Sequence, residues 1–389
     1  MQVTQIYALV NAATKTLIGE TAVLAEDLSN IVDVGKAVID SDNLDNYVKT
    51  LVNHIGKVVF TNRLYAGGVP SVLMDAWEYG SVLEKISTTL PEATESDSWK
   101  LENKKDYSPD VFYQPTVSVK FFNSKTTFEI PLSFTELQIK ESFSNANQLN
   151  GFLSMLTTSV ENSMTVKLDA LIMRTINNMM AETLWDGLND GEDSPALDTT
   201  QTSVKAVNLL NLYNADSGKT LTTATALTDP DFIRYATYTM GLYSDRMGRI
   251  SKLFNVGGKE RFTPKDLQHV VLLSDFAKAS EAFLLSNTQN AERVLLPKHE
   301  TVPYWQGSGV AYSFEDVSKI NVKTSGGLDV EMGGILGVIF DREALGVSNL
   351  DRRVTTNYNP KAEFYTNFYK FDAGFYNDLD ENFIVFFMG

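Results

Sequence analysis

GGILGVIFDREALGV (Gly333–Val347) and EFYTNFYKFDAGFYNDLDENFIVFFMG (Glu363–Gly389) decide how this chain is read. In the first, an apolar strand from Ile335 to Phe340 runs into Asp341-Arg342-Glu343-Ala344. The second opens on an aromatic strand, Phe364 to Phe375, with a break at Gly374. It closes on Phe383-Ile384-Val385-Phe386-Phe387. A terminus that apolar is an aggregation hazard unless it is paired inside a sheet. The two apolar ends of the segment are therefore expected to be sheet partners, so that the chain finishes in its own core. A polar, basic loop carrying Arg352 and Arg353 is expected between the strands.

Upstream lies the strongest helical signal. Leu149, Phe152, Leu153, Leu156, Val160, Met164, Leu168, Leu171, Ile172, Ile176, Met179 and Met180 recur at helical spacing, and after Gly151 no Gly or Pro interrupts before Gly187. About 38 residues at 1.5 Å rise predict a rod about 55–60 Å long. Ser, Thr and Asn flank the apolar positions where a coiled coil needs charges, so one rod packed on one sheet is the better picture.

Residues 61–130 read as a two-stranded ribbon with a polar tip. The tip, Pro91 to Pro109, carries eight charged residues and only Trp99, Leu101 and Tyr107 as large apolar or aromatic groups. In the return flank Val117, Val119 and Phe121 share one face, and Phe128 and Ile130 take the opposite parity after Asn123-Ser124. A ribbon of this length cannot bury both faces within its own subunit, so either it packs on something else or its flanks belong to a larger sheet. Residues 1–55 alternate short amphipathic helices with polar turns. Between 196 and 332 come a helix-like piece at Val204–Tyr213, a helix at Asp231–Tyr243, a loop rich in Lys and Arg, a strand at Gln268–Leu273 and a short helix at Ala277–Leu285.

The chain has 389 residues, 43% hydrophobic and 11% aromatic, enough for a large core and more than one subdomain. Its net charge of −16 argues against gripping nucleic acid, which needs clustered Lys and Arg. With no cysteine, disulfides, thiolate metal sites and a cysteine nucleophile are excluded. The N-terminus has neither a basic flank nor a long apolar run, so neither signal peptide nor membrane anchor is expected.

Chemistry is sought and not found. Ser217-Gly218-Lys219-Thr220 ends like a phosphate loop, but Tyr213 stands where the first glycine is required. Asp186 to Asp190 resembles the start of a calcium loop, but Leu188 and Leu197 occupy ligand positions. Gly307-Ser308-Gly309 lacks the spacing of a nucleophile elbow. His54, His269 and His299 have no partner at metal-ligand spacing. The carboxylate pairs Glu92/Glu95 and Asp378/Asp380 lie in polar turns and read as solvated. No catalytic, cofactor or metal site is expected. Arg246, Arg249, Lys252, Lys259, Arg261 and Lys265 form a basic stretch suited to complementary contact between subunits, as do Arg352 and Arg353.

The order of strand, D-R-E-A, basic loop, aromatic strand, polar turn and final apolar strand resembles the end of a tailed-phage major capsid protein of the Hong Kong 97 type. Two more stretches carry the resemblance. VSVKFFNSKTTFEIPLSFTELQIKESF (117–143) looks like the return strand of the extended loop leading into the spine helix. FTPKDLQHVVLLSDFAKASEAFLLSNTQN (262–290) resembles the strand and short helix of the axial lobe. The resemblance implies an α+β fold with an N-terminal arm (1–60), an extended β-ribbon loop (61–130), and a peripheral lobe with the spine helix (131–195). An axial lobe (196–332) follows, then a return to the peripheral lobe with C-terminal strands (333–389).

It also implies a non-enzymatic coat protein that assembles with itself into pentamers and hexamers of an icosahedral shell. The implied setting is a virion put together in host cytoplasm. Scaffolding, portal and decoration proteins are the implied partners; packaged DNA is faced but not specifically bound, and there is no membrane partner. Candidate contacts between subunits are Trp99, Tyr107, Arg246, Arg249, Lys252, Arg352 and Arg353. Little or no N-terminal processing is expected, and no cross-link is expected between the ribbon lysines and Asn349, Asn357 or Asn359. The alternatives are an encapsulin-like cargo shell and a soluble α+β enzyme with a dispersed acidic site.

Overall fold

The computed structural model describes residues 69, 72–74, 83–88, 93, 95–107, 110, 112, 114, 116–138, 146–189, 197–285, 298–306 and 313–389. The expected N-terminal arm, His54, and the Gly307–Gly309 turn lie outside the described residues. The described chain divides into two compact units. One takes β1 (Leu73–Met74), residues 125–174 and residues 347–374. The other takes β2 (Leu83–Thr88), β3 (Val117–Phe122), residues 175–346 and residues 375–389.

The first unit is built on a sheet whose strand order is β1, β11 (Leu345–Asn359), β12 (Phe364–Asn377), β4 (Lys125–Thr135). β4 and β12 pair antiparallel from Lys125 opposite Gly374 to Thr135 opposite Phe364. Period-two alternation puts Phe128, Ile130, Leu132 and Phe134 on one face of β4. Phe128 stacks on Phe371 across the pair, with ring centroids 5.1 Å apart. β4 is an edge strand, which is why Pro131 is tolerated within it.

Three expectations are corrected here. The ribbon does not run to residue 130, because the Asn123-Ser124 turn ends β3 and the following residues pair with β12; that flank belongs to a larger sheet, the other of the two expectations. The basic loop around Arg352 and Arg353 is a strand. β11 continues to Asn359 with alternating half-buried and exposed positions, so the two arginines fall on opposite faces. Gly374 does not break β12; the buried positions change parity there and the strand continues.

The second unit holds a five-stranded sheet ordered β5 (Ala206–Asn208), β13 (Phe383–Phe387), β10 (Ile335–Asp341), β6 (Gln268–Leu273), β7 (Glu300–Val302). β10 and β13 pair antiparallel, with Phe340 opposite Phe383 and Val338 opposite Val385. Every residue of both strands is buried, the pattern of strands covered on two faces. β6 flanks β10 on its other side. Gly337 allows that approach: a Cβ there would lie 2.5 Å from Leu272 Cδ2 and 2.9 Å from the Val271 carbonyl oxygen.

Helices α2 (Leu209–Ser217), α3 (Pro230–Met247) and α4 (Ser274–Leu285) contribute to one core with Leu336, Ile339, Ile384 and Phe386. The helix expected from Val204 begins only at Leu209, since residues 206–208 form β5 and Asn208 caps the helix by accepting from the Asn211 amide. β10 and β13 thus belong to the five-stranded sheet, while β11 and β12 belong to the four-stranded one.

The long helix runs from Ala146 to Leu188, ahead of α2 in the chain, and spans 43 residues, about 65 Å. Its buried positions include Val160, Met164, Leu168, Leu171, Ile172, Ile176, Met179 and Met180, the predicted stripe from Val160 onward; the side chains of Leu149, Phe152, Leu153 and Leu156 lie outside the described ones. Near its C-terminal end Asn177 donates to the Trp305 carbonyl at 2.7 Å, and the Trp305 indole donates to the Ile335 carbonyl at 2.9 Å. A small hairpin, β8 (Ile320–Lys323) with β9 (Asp329–Met332), completes the unit.

Candidate assembly surface

β2 and β3 form an antiparallel ribbon in which Lys85 stands opposite Lys120, Ile86 opposite Val119 and Ser87 opposite Ser118. Alternation gives the ribbon two dissimilar faces. Lys85, Ser87, Ser118 and Lys120 are half-buried, whereas Ile86 (63% exposed), Val117, Val119 and Phe121 (64%) face outward. Along Lys85–Ser87 and Val117–Phe121 the polarity is the reverse of an ordinary surface ribbon, with lysines directed inward and Ile86, Val117, Val119 and Phe121 outward; Leu83 and Phe122 at the end of the ribbon are half-buried on the inward face.

The lysines meet an acidic turn, Asp378 to Asn382, between β12 and β13. Lys120 Nζ lies 2.8 Å from Asp378 Oδ1 and 2.6 Å from Asp380 Oδ2. Lys85 Nζ lies 2.9 Å from Asp378 Oδ2, 2.8 Å from Glu381 Oε1 and 3.5 Å from Glu343 Oε2. Arg261 Nε donates to the same Glu381 oxygen at 3.0 Å. The Asp378 side chain is 1% exposed.

Backbone bonds hold the turn in place. The Asp378 amide donates to the Ala344 carbonyl, the Gly257 amide to that of Leu379, and the Phe383 amide to that of Phe254. Gly257 is required for this closure, since a Cβ there would collide with Asp380 Oδ1. The reading of Asp378 and Asp380 as solvated is therefore corrected. Asp378 and Lys120 are 258 residues apart in the chain, beyond any local spacing rule. The one available signal was the parity of Lys85 and Lys120, which share a face of the ribbon opposite Ile86, Val119 and Phe121.

The electrostatics follow from this packing. Burial alone would lower the Lys85 pKa, but hydrogen bonds and charges from Glu381 and Asp378 outweigh it and raise it. Lys120 is raised in the same way by Asp378 and Asp380 against its own burial. Burial pushes the Asp378 carboxyl up, yet the two lysines hold it below the usual aspartate value. Glu381 goes the other way: burial outweighs Lys85 and Arg261 and leaves it above the usual glutamate value.

Each predicted contact residue has its own local surroundings. Trp99 is 96% exposed at the ribbon tip. Tyr107 accepts from the Glu102 amide at 3.1 Å and carries Lys105 over its ring. Arg246 lies over the Tyr243 ring at 5.3 Å, Arg249 is exposed, and Lys252 pairs with Glu260 at 3.3 Å. Arg353 binds Asp372 at 2.9 Å and Asp351 at 3.4 Å, while Arg352 is half-buried. Among the described residues no group of three His, Asp or Glu side chains is placed to hold a metal ion, and no helix is long and apolar enough to cross a membrane.

The sequence matches the profile of the Phi29-like phage major capsid protein family over residues 10–387. The chain belongs to this family. Its members are structural capsid proteins, not enzymes. The major capsid protein of Bacillus phage GA-1 is 28% identical over 191 residues, a stretch covering 47% of this chain and 38% of that protein. The match thus spans about two fifths of that relative's length. Among solved structures, a chain in the structure of the head fiber and inner core protein gp22 of native bacteriophage P68 aligns with TM-score 0.51. It is 9% identical and covers 85% of this chain and 86% of that one, a likeness of fold alone. The capsid structure of Staphylococcus phage Andhra aligns at TM-score 0.45 and 10% identity, covering 84% of this chain and 86% of that one. The architecture is the α+β Hong Kong 97-type capsid fold.

Proposed function

We propose that this chain is the coat subunit of a tailed double-stranded DNA phage and tiles a closed icosahedral shell as pentamers and hexamers. Family membership across residues 10–387 carries the reading. The outward apolar face of the ribbon supports it, because Ile86, Val119 and Phe121 are left for a neighbouring copy to cover. Heterologous contacts of this kind close into rings around a capsomer axis. The polar tip with Trp99 and Tyr107, and the arginines Arg249 and Arg353, are proposed as further contacts. Scaffolding, portal and decoration proteins are proposed partners. Packaged DNA is faced rather than bound, in keeping with a net charge of −16.

The test is light scattering and sedimentation of the full chain beside Ile86→Glu/Phe121→Glu. The reading expects large assemblies from the parent and small soluble species from the variant, with equal far-UV circular dichroism. Equal assembly by both would remove the ribbon face from the proposal.

A further inference from the structure

The ribbon presents a physical problem. Ile86, Val117, Val119 and Phe121 lie on its outward face, and hydrophobic burial favours turning them onto their own subunit. Lys85 and Lys120 stand directly opposite each other on the inward face, a like-charge arrangement that is unfavourable unless a counter-charge sits between them. The acidic turn supplies one. Asp378 bridges the two ammonium groups at 2.9 and 2.8 Å, with Glu381 completing Lys85 and Asp380 completing Lys120. Ser87 and Ser118 lie next to the lysines on the same face, Oγ to Oγ at 2.8 Å, so the middle of the inward side is polar; at its end Leu83 and Phe122 are half-buried, with the Phe122 ring 5.0 Å from that of Tyr376.

We propose that Lys85 and Lys120 are positioning residues for assembly: their clasp on the Asp378–Glu381 turn fixes which face the ribbon presents, keeping its apolar face outward before a neighbour arrives. The clasp works through discrimination. An inward apolar face would set Ile86, Val119 and Phe121 against Asp378, Asp380 and Glu381 and leave those carboxylates unpaired, the repulsive element that specific arrangements need. The turn cannot yield to such a swap, since backbone bonds tie Asp378 to Ala344, Leu379 to Gly257, and Phe383 to Phe254. The clasp itself is geometry within one subunit, while its role in assembly rests on the proposed coat function.

The chain contains no cysteine, so single thiols report on each face. Val119→Cys and Ser118→Cys are adjacent and point to opposite sides of β3. Maleimide labelling rates would be measured on unassembled full-chain subunits isolated by size exclusion. The clasp predicts that the Val119→Cys thiol labels about tenfold or more faster than the Ser118→Cys thiol. That ratio should fall to about one or below in a Lys85→Met/Lys120→Met background, where the ribbon opens locally or turns over. Lys85→Arg/Lys120→Arg should restore the ratio, a rescue that loss of general stability would not produce. If the methionine pair does not fold, Asp378→Asn/Glu381→Gln asks the same question from the turn. A ratio held within about twofold of the parent in whichever background folds overturns the proposal.

Discussion

Replacing Asp378 by Asn should cost the unit that contains it about 2–3 kcal/mol. Breaking a buried ion pair by removing one partner costs about 3–5 kcal/mol, because the other charge stays behind in a poor environment. Here two charges stay behind, but neither is fully buried. The Lys120 side chain is 37% exposed and that of Lys85 18%, and each keeps a second carboxylate, so solvent and residual pairing discount the figure. Asparagine keeps the shape, and its carbonyl oxygen can still accept the Asp380 amide now bonded to Asp378 at 3.1 Å.

The assay is urea unfolding at pH 7, with m-values compared to confirm that the same transition is measured. A Lys85→Met/Lys120→Met background should shrink the Asp378→Asn penalty to under about 1 kcal/mol, the non-additivity expected of contacting residues. The acid limb supplies a second reading. Asp378 is depressed in the fold, so its contribution is present above the ordinary aspartate value and lost as pH falls through the depressed one; Asp378→Asn should flatten that loss. A penalty below about 0.5 kcal/mol, or full additivity with the lysine pair, would show that the clasp does not hold the turn.

Glu381 is raised in the fold, so its contribution has the opposite sign, being present below the ordinary glutamate value and lost as pH rises through the raised one. Glu381→Gln should therefore cost less at pH 7 than Asp378→Asn by the same urea assay, although Glu381 also bonds Arg261. Gly337→Ala should destabilise by about 1–3 kcal/mol in thermal unfolding, since its Cβ would press Leu272 and the Val271 carbonyl. Trp99→Ala should leave stability within about 0.5 kcal/mol of the parent, because the side chain is 96% exposed, while slowing assembly followed by light scattering. In Arg353→Met, carbon-detected titration should find the Asp372 pKa moved up from its present depressed position, as the arginine that chiefly holds it down is gone.

Much of the fold was legible because periodicity carries it. The all-buried runs Ile335–Phe340 and Phe383–Phe387 could be stable only as partners, and β10 and β13 are paired antiparallel. The apolar stripe from Val160 to Met180 could belong only to a long helix. The parity of Val117, Val119 and Phe121 correctly put them on one face of β3, and that face is exposed.

What was not legible depends on distant partners. Arg352 and Arg353 read as a loop, since charge and β-poor residues suggest one; Arg353 is held in a strand by Asp372 across the pair. β4 was assigned to the ribbon because it alternates too, with opposite parity after the Asn123-Ser124 turn, and alternation does not name a partner strand. Asp378 and Asp380 looked solvated because nothing near them in sequence is cationic. Their counter-charges at Lys85 and Lys120 arrive only with the fold.

The most direct test of the coat reading is negative-stain electron microscopy of the purified full chain, alone and with the other structural proteins of its phage. Closed shells, rings or tubes of megadalton mass are predicted, and the Ile86→Glu/Phe121→Glu variant should yield none. A single small species from the parent under every one of these conditions would rule the coat reading out.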